Sequence, residues 1–163
     1  MKIVLCAMFL ICNVSFAEKS NKEKARDMYL KVKNDFKEVS EIKLSKFRKL
    51  SEENKVQLVD VRKEKERDVS MISGAISKNE FEKNIKKYED KIIVVYCTIG
   101  YRSAKYIKKL KKKNVLAYNL EGSILGWVHE ALPVVNPTKE EVKRVHVYGR
   151  SWNVLPKDYE GVW

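Results

Sequence analysis

Short apolar runs at residues 56–61, 92–96 and 115–120 alternate with stretches of helical periodicity, and this alternation constrains the fold most. Val56-Gln57-Leu58-Val59-Asp60-Val61 and Ile92-Ile93-Val94-Val95-Tyr96 are apolar on both faces, the pattern of buried strands. Gly74-Ala75-Ile76 reads as a brief further strand, and Val115-Leu116-Ala117-Tyr118-Asn119-Leu120 as another. Between them lie helical patterns. Leu44, Phe47 and Leu50 mark a short helix. Ser77 and Glu80 form a capping box before a helix with Phe81, Ile85 and Tyr88 on its buried face. Ala104, Ile107 and Leu110 share one side of a third helix, and Ile124, Trp127, Val128 and Ala131 one side of a last, stopped by Pro133. Strands alternating with helices predict an α/β fold, a parallel sheet covered on both faces. Ligands of such sheets bind beyond the carboxyl ends of the strands.

Cys97 stands at such an end. It heads Cys97-Thr98-Ile99-Gly100-Tyr101-Arg102-Ser103, between the 92–96 strand and a helical stretch from Ser103 to Lys113. Backbone N–H groups and the positive end of a helix dipole favour an anion there. They stabilise a thiolate and can receive a substrate oxyanion, and Arg102 adds a fixed cation. The competing reading is an inert buried cysteine. A glycine and an arginine within the next five positions favour the functional one.

The other two cysteines, Cys6 and Cys12, lie in a targeting pattern: Lys2, an apolar stretch, then Ser15-Phe16-Ala17 with small residues where a signal peptidase reads. Residues 1–17 are expected to be a signal peptide cleaved after Ala17, giving a periplasmic or secreted chain without stable membrane insertion. The apolar stretch is shorter than the ~20 residues of a membrane span. Bulky Ile11 before Cys12 disfavours a lipoprotein. Removing 17 of 163 residues leaves 146, one domain's worth, with Cys97 as its one thiol. That excludes an internal disulfide or a Cys-x-x-Cys pair. With His129 and His146 as the two histidines, it leaves too few ligands for a structural zinc site.

The formal net charge is +12. Lys105, Lys108, Lys109, Lys111, Lys112 and Lys113 surround the apolar side of the helix after the loop and read as a solvated face. Small anions are attracted to such a surface, but no nucleic-acid-binding motif is present. Residues 18–38 carry Ala25, Met28, Tyr29, Val32 and Phe36 at helical spacing and read as a helical extension. Residues 136–163 leave the alternation. Residues 142–147 read as one short strand, and Tyr148, Trp152, Tyr159 and Trp163 are expected to pack across the outside of the domain, with an aromatic wall at the site mouth as the alternative.

The order and spacing of three segments resemble the rhodanese family over residues 39–135. The first is Leu58-Val59-Asp60-Val61-Arg62 with Glu66 and Ile72-Ser73-Gly74-Ala75-Ile76. The second is the Cys97–Ser103 loop. The third is Asn119-Leu120-Glu121-Gly122-Ser123-Ile124 with Trp127. The resemblance implies a five-stranded parallel sheet flanked by helices. It implies a sulfurtransferase without cofactor or metal, in which Cys97 carries a persulfide. The partners are a small sulfane-sulfur donor, such as thiosulfate, and a thiol or cyanide acceptor; a protein thiol could serve. Thr98, Ile99, Gly100, Tyr101, Arg102 and Ser103 are then the substrate-binding loop. Asp60 braces it from a neighbouring strand end, and Arg62 is a structural partner of an acid such as Glu66.

Two departures bear on specificity. Ser70-Met71-Ile72-Ser73-Gly74-Ala75 lacks the histidine the family often has in this stretch. Ile99 and Tyr101 stand where thiosulfate-using members often carry basic residues, so a bulkier or less charged sulfane donor, or a protein persulfide, fits as well. The rivals are a non-catalytic sulfur carrier or docking module, and a phosphatase or arsenate reductase of the related fold. The latter use one more residue between Cys and Arg than the four found here.

Overall fold

The computed structural model describes residues 18–163. The expected signal peptide, with Cys6 and Cys12, lies outside the described residues. Helix α1 (Asn21–Asp35) starts at a reciprocal cap, Ser20 accepting from the Glu23 N–H and Glu23 from the Ser20 N–H. Then come β1 (Glu41–Ile42), α2 (Leu44–Glu52), β2 (Val56–Asp60), α3 (Glu64–Arg67), β3 (Met71–Ile72), β4 (Ile76–Ser77) and α4 (Lys78–Lys83). After a 3-10 turn at Ile85–Tyr88 follow β5 (Ile92–Tyr96), α5 (Tyr101–Lys111), β6 (Ala117–Leu120) and α6 (Ser123–His129). The chain ends with β7 (Val134–Val135), β8 (Glu141–Val142), β9 (Arg144–His146), a 3-10 turn at Arg150–Trp152 and β10 (Glu160–Val162).

Five strands make one parallel sheet in the order β1-β6-β5-β2-β4, the expected α/β architecture. Strand side chains alternate between its faces. Leu58, Val94, Tyr96 and Leu120 join a cluster with α1, α2, α6 and the C-terminal segment. Val59, Ile93, Val95 and Ala117 join the other, with Phe81 of α4 and Ala104, Ile107 and Leu110 of α5. The lysines of α5 point away from the sheet and are exposed.

The structure corrects several element boundaries. The predicted 115–120 strand begins only at Ala117 and leaves Leu116 71% exposed. Ser77 caps α4 by accepting from the Glu80 N–H, but α4 ends at Lys83, and Tyr88 is buried from the 3-10 turn. Ala131 is exposed with φ 54° beyond the end of α6, and Leu125 takes the inner-face place expected of it. The 142–147 stretch is split. β8 pairs antiparallel with β7, while β9 pairs with β10 in a separate two-stranded parallel ribbon. Asn21 Nδ2 donates to the Leu155 carbonyl at 2.8 Å, and His129 Nε2 lies 2.7 Å from the Val154 carbonyl, so the C-terminal segment rests on α1 and α6.

Candidate active site around Cys97

Cys97 follows the carboxyl end of β5, the middle strand, flanked by the ends of β2 and β6. Its loop is fastened to the start of α6. The Cys97 N–H donates to Ser123 Oγ at 3.3 Å, and the Cys97 and Thr98 carbonyls accept from the Ile124 and Leu125 N–H groups, each at 3.2 Å. Gly100 then caps the start of α5, and its φ of 106° suits a residue without a side chain. A Cβ there would also meet Tyr29 Cε2 at 3.1 Å and Asn119 Nδ2 at 3.2 Å.

That turn aims donors at the sulfur. The Gly100 N–H lies 3.2 Å from Cys97 Sγ, and the Ser103 hydroxyl 3.6 Å from it. Ser103 Oγ is also 3.0 Å from the Gly100 carbonyl, so its one hydrogen serves either acceptor. Asn119 Nδ2 donates to the same carbonyl at 3.1 Å and fixes the turn from β6. Tyr101 is exposed and meets Phe36 edge-on at 5.3 Å between centroids. Ile99 points instead into the apolar core. The first turn of α5 also presents N–H groups that no intrahelical acceptor can satisfy.

Arg102 is committed within the protein. Its Nη1 and Nη2 donate to Glu66 Oε2 and Oε1 at 2.6 and 2.7 Å, and Nη2 also donates to Thr98 Oγ1 at 2.9 Å. Glu66 is 2% exposed. Burial works against its carboxylate, but hydrogen bonds from Arg102 and the Lys63 N–H, with the charges of Arg102 and Arg62, outweigh it and hold the carboxyl at about 2. This corrects the expected pairing, because Glu66 takes Arg102 rather than Arg62.

Arg62 pairs with Asp60 two residues earlier. Its Nη2 donates to Asp60 Oδ2 at 2.7 Å and its Nε to Oδ1 at 3.0 Å, both side chains fully buried. Nη2 also donates to the Ser70 carbonyl at 2.6 Å, and the guanidinium lies over the Tyr96 ring. The Tyr96 hydroxyl accepts from the Ile72 N–H at 3.1 Å, and burial pushes its ionisation well above the ordinary range. Asp60 thus reaches Arg62, not the Cys97 loop, and locks the stretch that leads into α3 and Glu66.

The structure thus brings together Cys97, Thr98, Gly100, Arg102 and Ser103, with Asp60 and Arg62 one layer behind. Ser123, Asn119, Glu66 and Tyr29 complete the setting without having been assigned to the site from sequence. Ser123 and Asn119 flank the Glu121-Gly122 turn, which is visible as a motif. Tyr29 is a core residue of α1 with no local signal. Among the described residues, no three His, Cys, Asp or Glu side chains converge to hold a metal ion.

The model of the Rhodanese-like domain family matches residues 43–130, more than half of the chain. The chain belongs to the rhodanese-like family. A rhodanese-related protein from Thermoplasma volcanium is similar over 59% of this chain and 97% of its own, at 27% identity and a TM-score of 0.51. The BH2092 protein of Bacillus halodurans shares the fold at 21% identity and a TM-score of 0.53, over 70% of this chain and 85% of its own. A thiosulfate sulfurtransferase from Pseudomonas aeruginosa shares it at 16% identity and a TM-score of 0.56, over 73% of this chain; the match spans 24% of that protein. No curated protein matches the chain. The family match ends at residue 130, before β7, and the C-terminal segment lies outside the matched residues.

Proposed function

We propose that this rhodanese-like protein is a sulfurtransferase that carries sulfane sulfur on Cys97. The supporting observation is the turn that aims the Gly100 N–H and the Ser103 hydroxyl at Sγ, at the start of an eleven-residue helix. Cys97 thiolate attacks the outer sulfur of a donor, the donor's S–S bond breaks, and its electron pair leaves with the rest of the donor, as sulfite when thiosulfate is used. The persulfide anion takes the place of the thiolate among the same donors. An acceptor thiolate or cyanide then attacks the outer sulfur and returns Cys97 to thiolate. No net oxidation or reduction of the protein occurs.

Arg102 holds Thr98 and Glu66 together and so shapes the loop. With its charge already matched by Glu66, the site favours a less charged sulfane donor or a protein persulfide over a free dianion. We place the protein outside the cytoplasm, on the strength of the Lys2 to Ala17 pattern. N-terminal sequencing of protein from the extracytoplasmic fraction should begin at Glu18, and an intact Met1 in the cytoplasm would contradict this. The likeness to a thiosulfate sulfurtransferase supports the reaction class.

Activity is tested with cyanide as acceptor. Thiocyanate formation should vanish in Cys97→Ser, and turnover near that of the wild type would place the sulfur elsewhere. Adding one residue before Arg102 separates this reading from the phosphatase one. The enlarged loop should lose sulfur transfer and gain aryl-phosphate hydrolysis, and the opposite pattern would remove loop size as the determinant.

A further inference from the structure

The segment that follows the family domain returns to the Cys97 end of the sheet. β9 packs against α3, the helical turn that carries Glu66. Val145 and Val147, on either side of His146, are fully buried in the cluster that also holds Ile99 and Tyr29. Yet among the described residues β9 pairs only with β10, through Arg144 to Glu160, Val145 to Gly161 and His146 to Val162, and has no ladder to the central sheet. A two-stranded ribbon is marginal by itself, so side-chain packing decides where this one lies.

His146 is the exception in that packing. It is 5% exposed, and its Nδ1 has no hydrogen-bond partner among the described residues. The charges that act on it most are Glu66 and Lys65 of α3, Arg62 after β2 and Arg102 of α5. Its own ribbon contributes Arg144, paired with Glu160 at 2.9 Å, and Lys143, paired with Asp158 at 3.0 Å, all well exposed. Burial is the strongest influence on the imidazole and keeps it below its ordinary value; of the charges Glu66 favours the imidazolium most, while Lys65, Arg62 and Arg102 oppose it, and Glu66 with Arg102 and Asp60 with Arg62 are each paired.

We propose that residues 143–163 form a strap over the Cys97 site and that His146 is its latch, neutral when the strap is closed, with proton uptake releasing the strap and admitting reagents to the thiol. The functional meaning rests on the reading of Cys97 as sulfur carrier; the motion does not. Cys97 is 1% exposed and Thr98, Ile99 and Gly100 are buried, so a donor reaches Sγ only after something moves. An imidazolium in the closed strap would be buried with no acceptor for its Nδ1–H among the described residues. Once the strap leaves, the imidazole returns to its ordinary value of ~6.5. The released form therefore binds the proton more tightly, and opening grows as pH falls through that value.

The test uses the purified protein without any sulfur donor. Hydrogen exchange at 144–147 and 160–162 is followed between pH 7.5 and 5.5, corrected for intrinsic exchange, alongside iodoacetamide alkylation of Cys97. In the wild type, strap protection should fall about tenfold over that range, the ratio for one group that binds its proton only when released. His146→Gln, neutral at every pH, should keep its protection. The ratio of wild-type to variant alkylation should rise on acidification by a similar factor. Equal loss of protection in both proteins would overturn the proposal. Should the variant fail to fold, imidazole NMR of the wild type decides. Proton uptake at His146 must coincide with loss of strap protection, and uptake with the strap still protected would overturn the latch. Sulfur loading is a separate measurement, so a working strap on a protein that takes no sulfur would fail the functional reading alone.

Discussion

The two ends of the central sheet differ in what they bury. At the carboxyl ends of β2, β5 and β6 the chain buries Asp60, Arg62, Glu66, Thr98, Ser103, Asn119 and Ser123, and side-chain hydrogen bonds join them to one another and to the loops they hold. At the amino ends of β5 and β6 a groove of about 690 Å3 opens between Phe81, Ile85, Tyr88, Leu110, Val115 and Leu116. A second groove, of about 620 Å3, lies past the carboxyl ends of β1 and β6, between Tyr29, Leu44, Glu121, Gly122 and Gly126. Cavity size alone does not separate the two grooves. Buried polar groups need partners, and following those partners leads to Cys97. The lesson is that the candidate site is recognisable by what its burial requires, since the thiol itself is covered.

The comparison breaks most visibly if the polar end proves dispensable. Asp60→Asn leaves the buried Arg62 without its counter-charge and should destabilise the fold by about 3–5 kcal/mol in urea unfolding. A loss below 1 kcal/mol would show that the polar layer does not hold this end together. Glu66→Gln removes the carboxylate fork of Arg102 and should cost about 1.5–3 kcal/mol at neutral pH. The sign of its pH dependence follows from the carboxyl held at about 2 when folded, against an ordinary value of 4.5. The stabilisation is complete above ordinary carboxylate values and is lost as pH falls from there to about 2. The gap between wild type and variant should therefore close over that interval, and a gap that persists at pH 2 would assign it to shape.

Gly100→Ala places a side chain at φ 106° against Tyr29 and Asn119, and should cost about 1–3 kcal/mol while slowing sulfur loading of Cys97. Unchanged stability would mean that the turn relaxes freely. At the other end, Leu116→Ser should change stability by no more than about 0.5 kcal/mol and leave sulfur loading untouched. A large effect there would join the two ends that the structure keeps apart.

Much of this was legible in the chain. β2 and β5 are apolar on both faces, and such runs specify central parallel strands without help from distant residues. The Cys97 loop was legible because its glycine and arginine sit within five residues of the thiol. β1 was not, since two residues, Glu41 and Ile42, carry no period. Nor was the partner of Glu66: Arg62 and Arg102 are equal candidates in sequence, and only packing separates 36 residues of chain from four. The division of 142–147 between a three-stranded sheet and a two-stranded ribbon depends on Val134 and Val162, which pair with Val142 and His146. Tyr29 beside Gly100 and His146 beside Glu66 come from extensions outside the family domain, where no motif guides the eye.

The central claim is that Cys97 holds sulfur. The purified protein is incubated separately with thiosulfate, a polysulfide and mercaptopyruvate, and its intact mass is taken before and after cyanide. At least one donor should leave the chain heavier by one sulfur atom, mapped to the Cys97 peptide and removed by cyanide, with no gain in Cys97→Ser. A chain whose mass is unchanged by all three donors, or whose added sulfur survives in Cys97→Ser, would contradict the account.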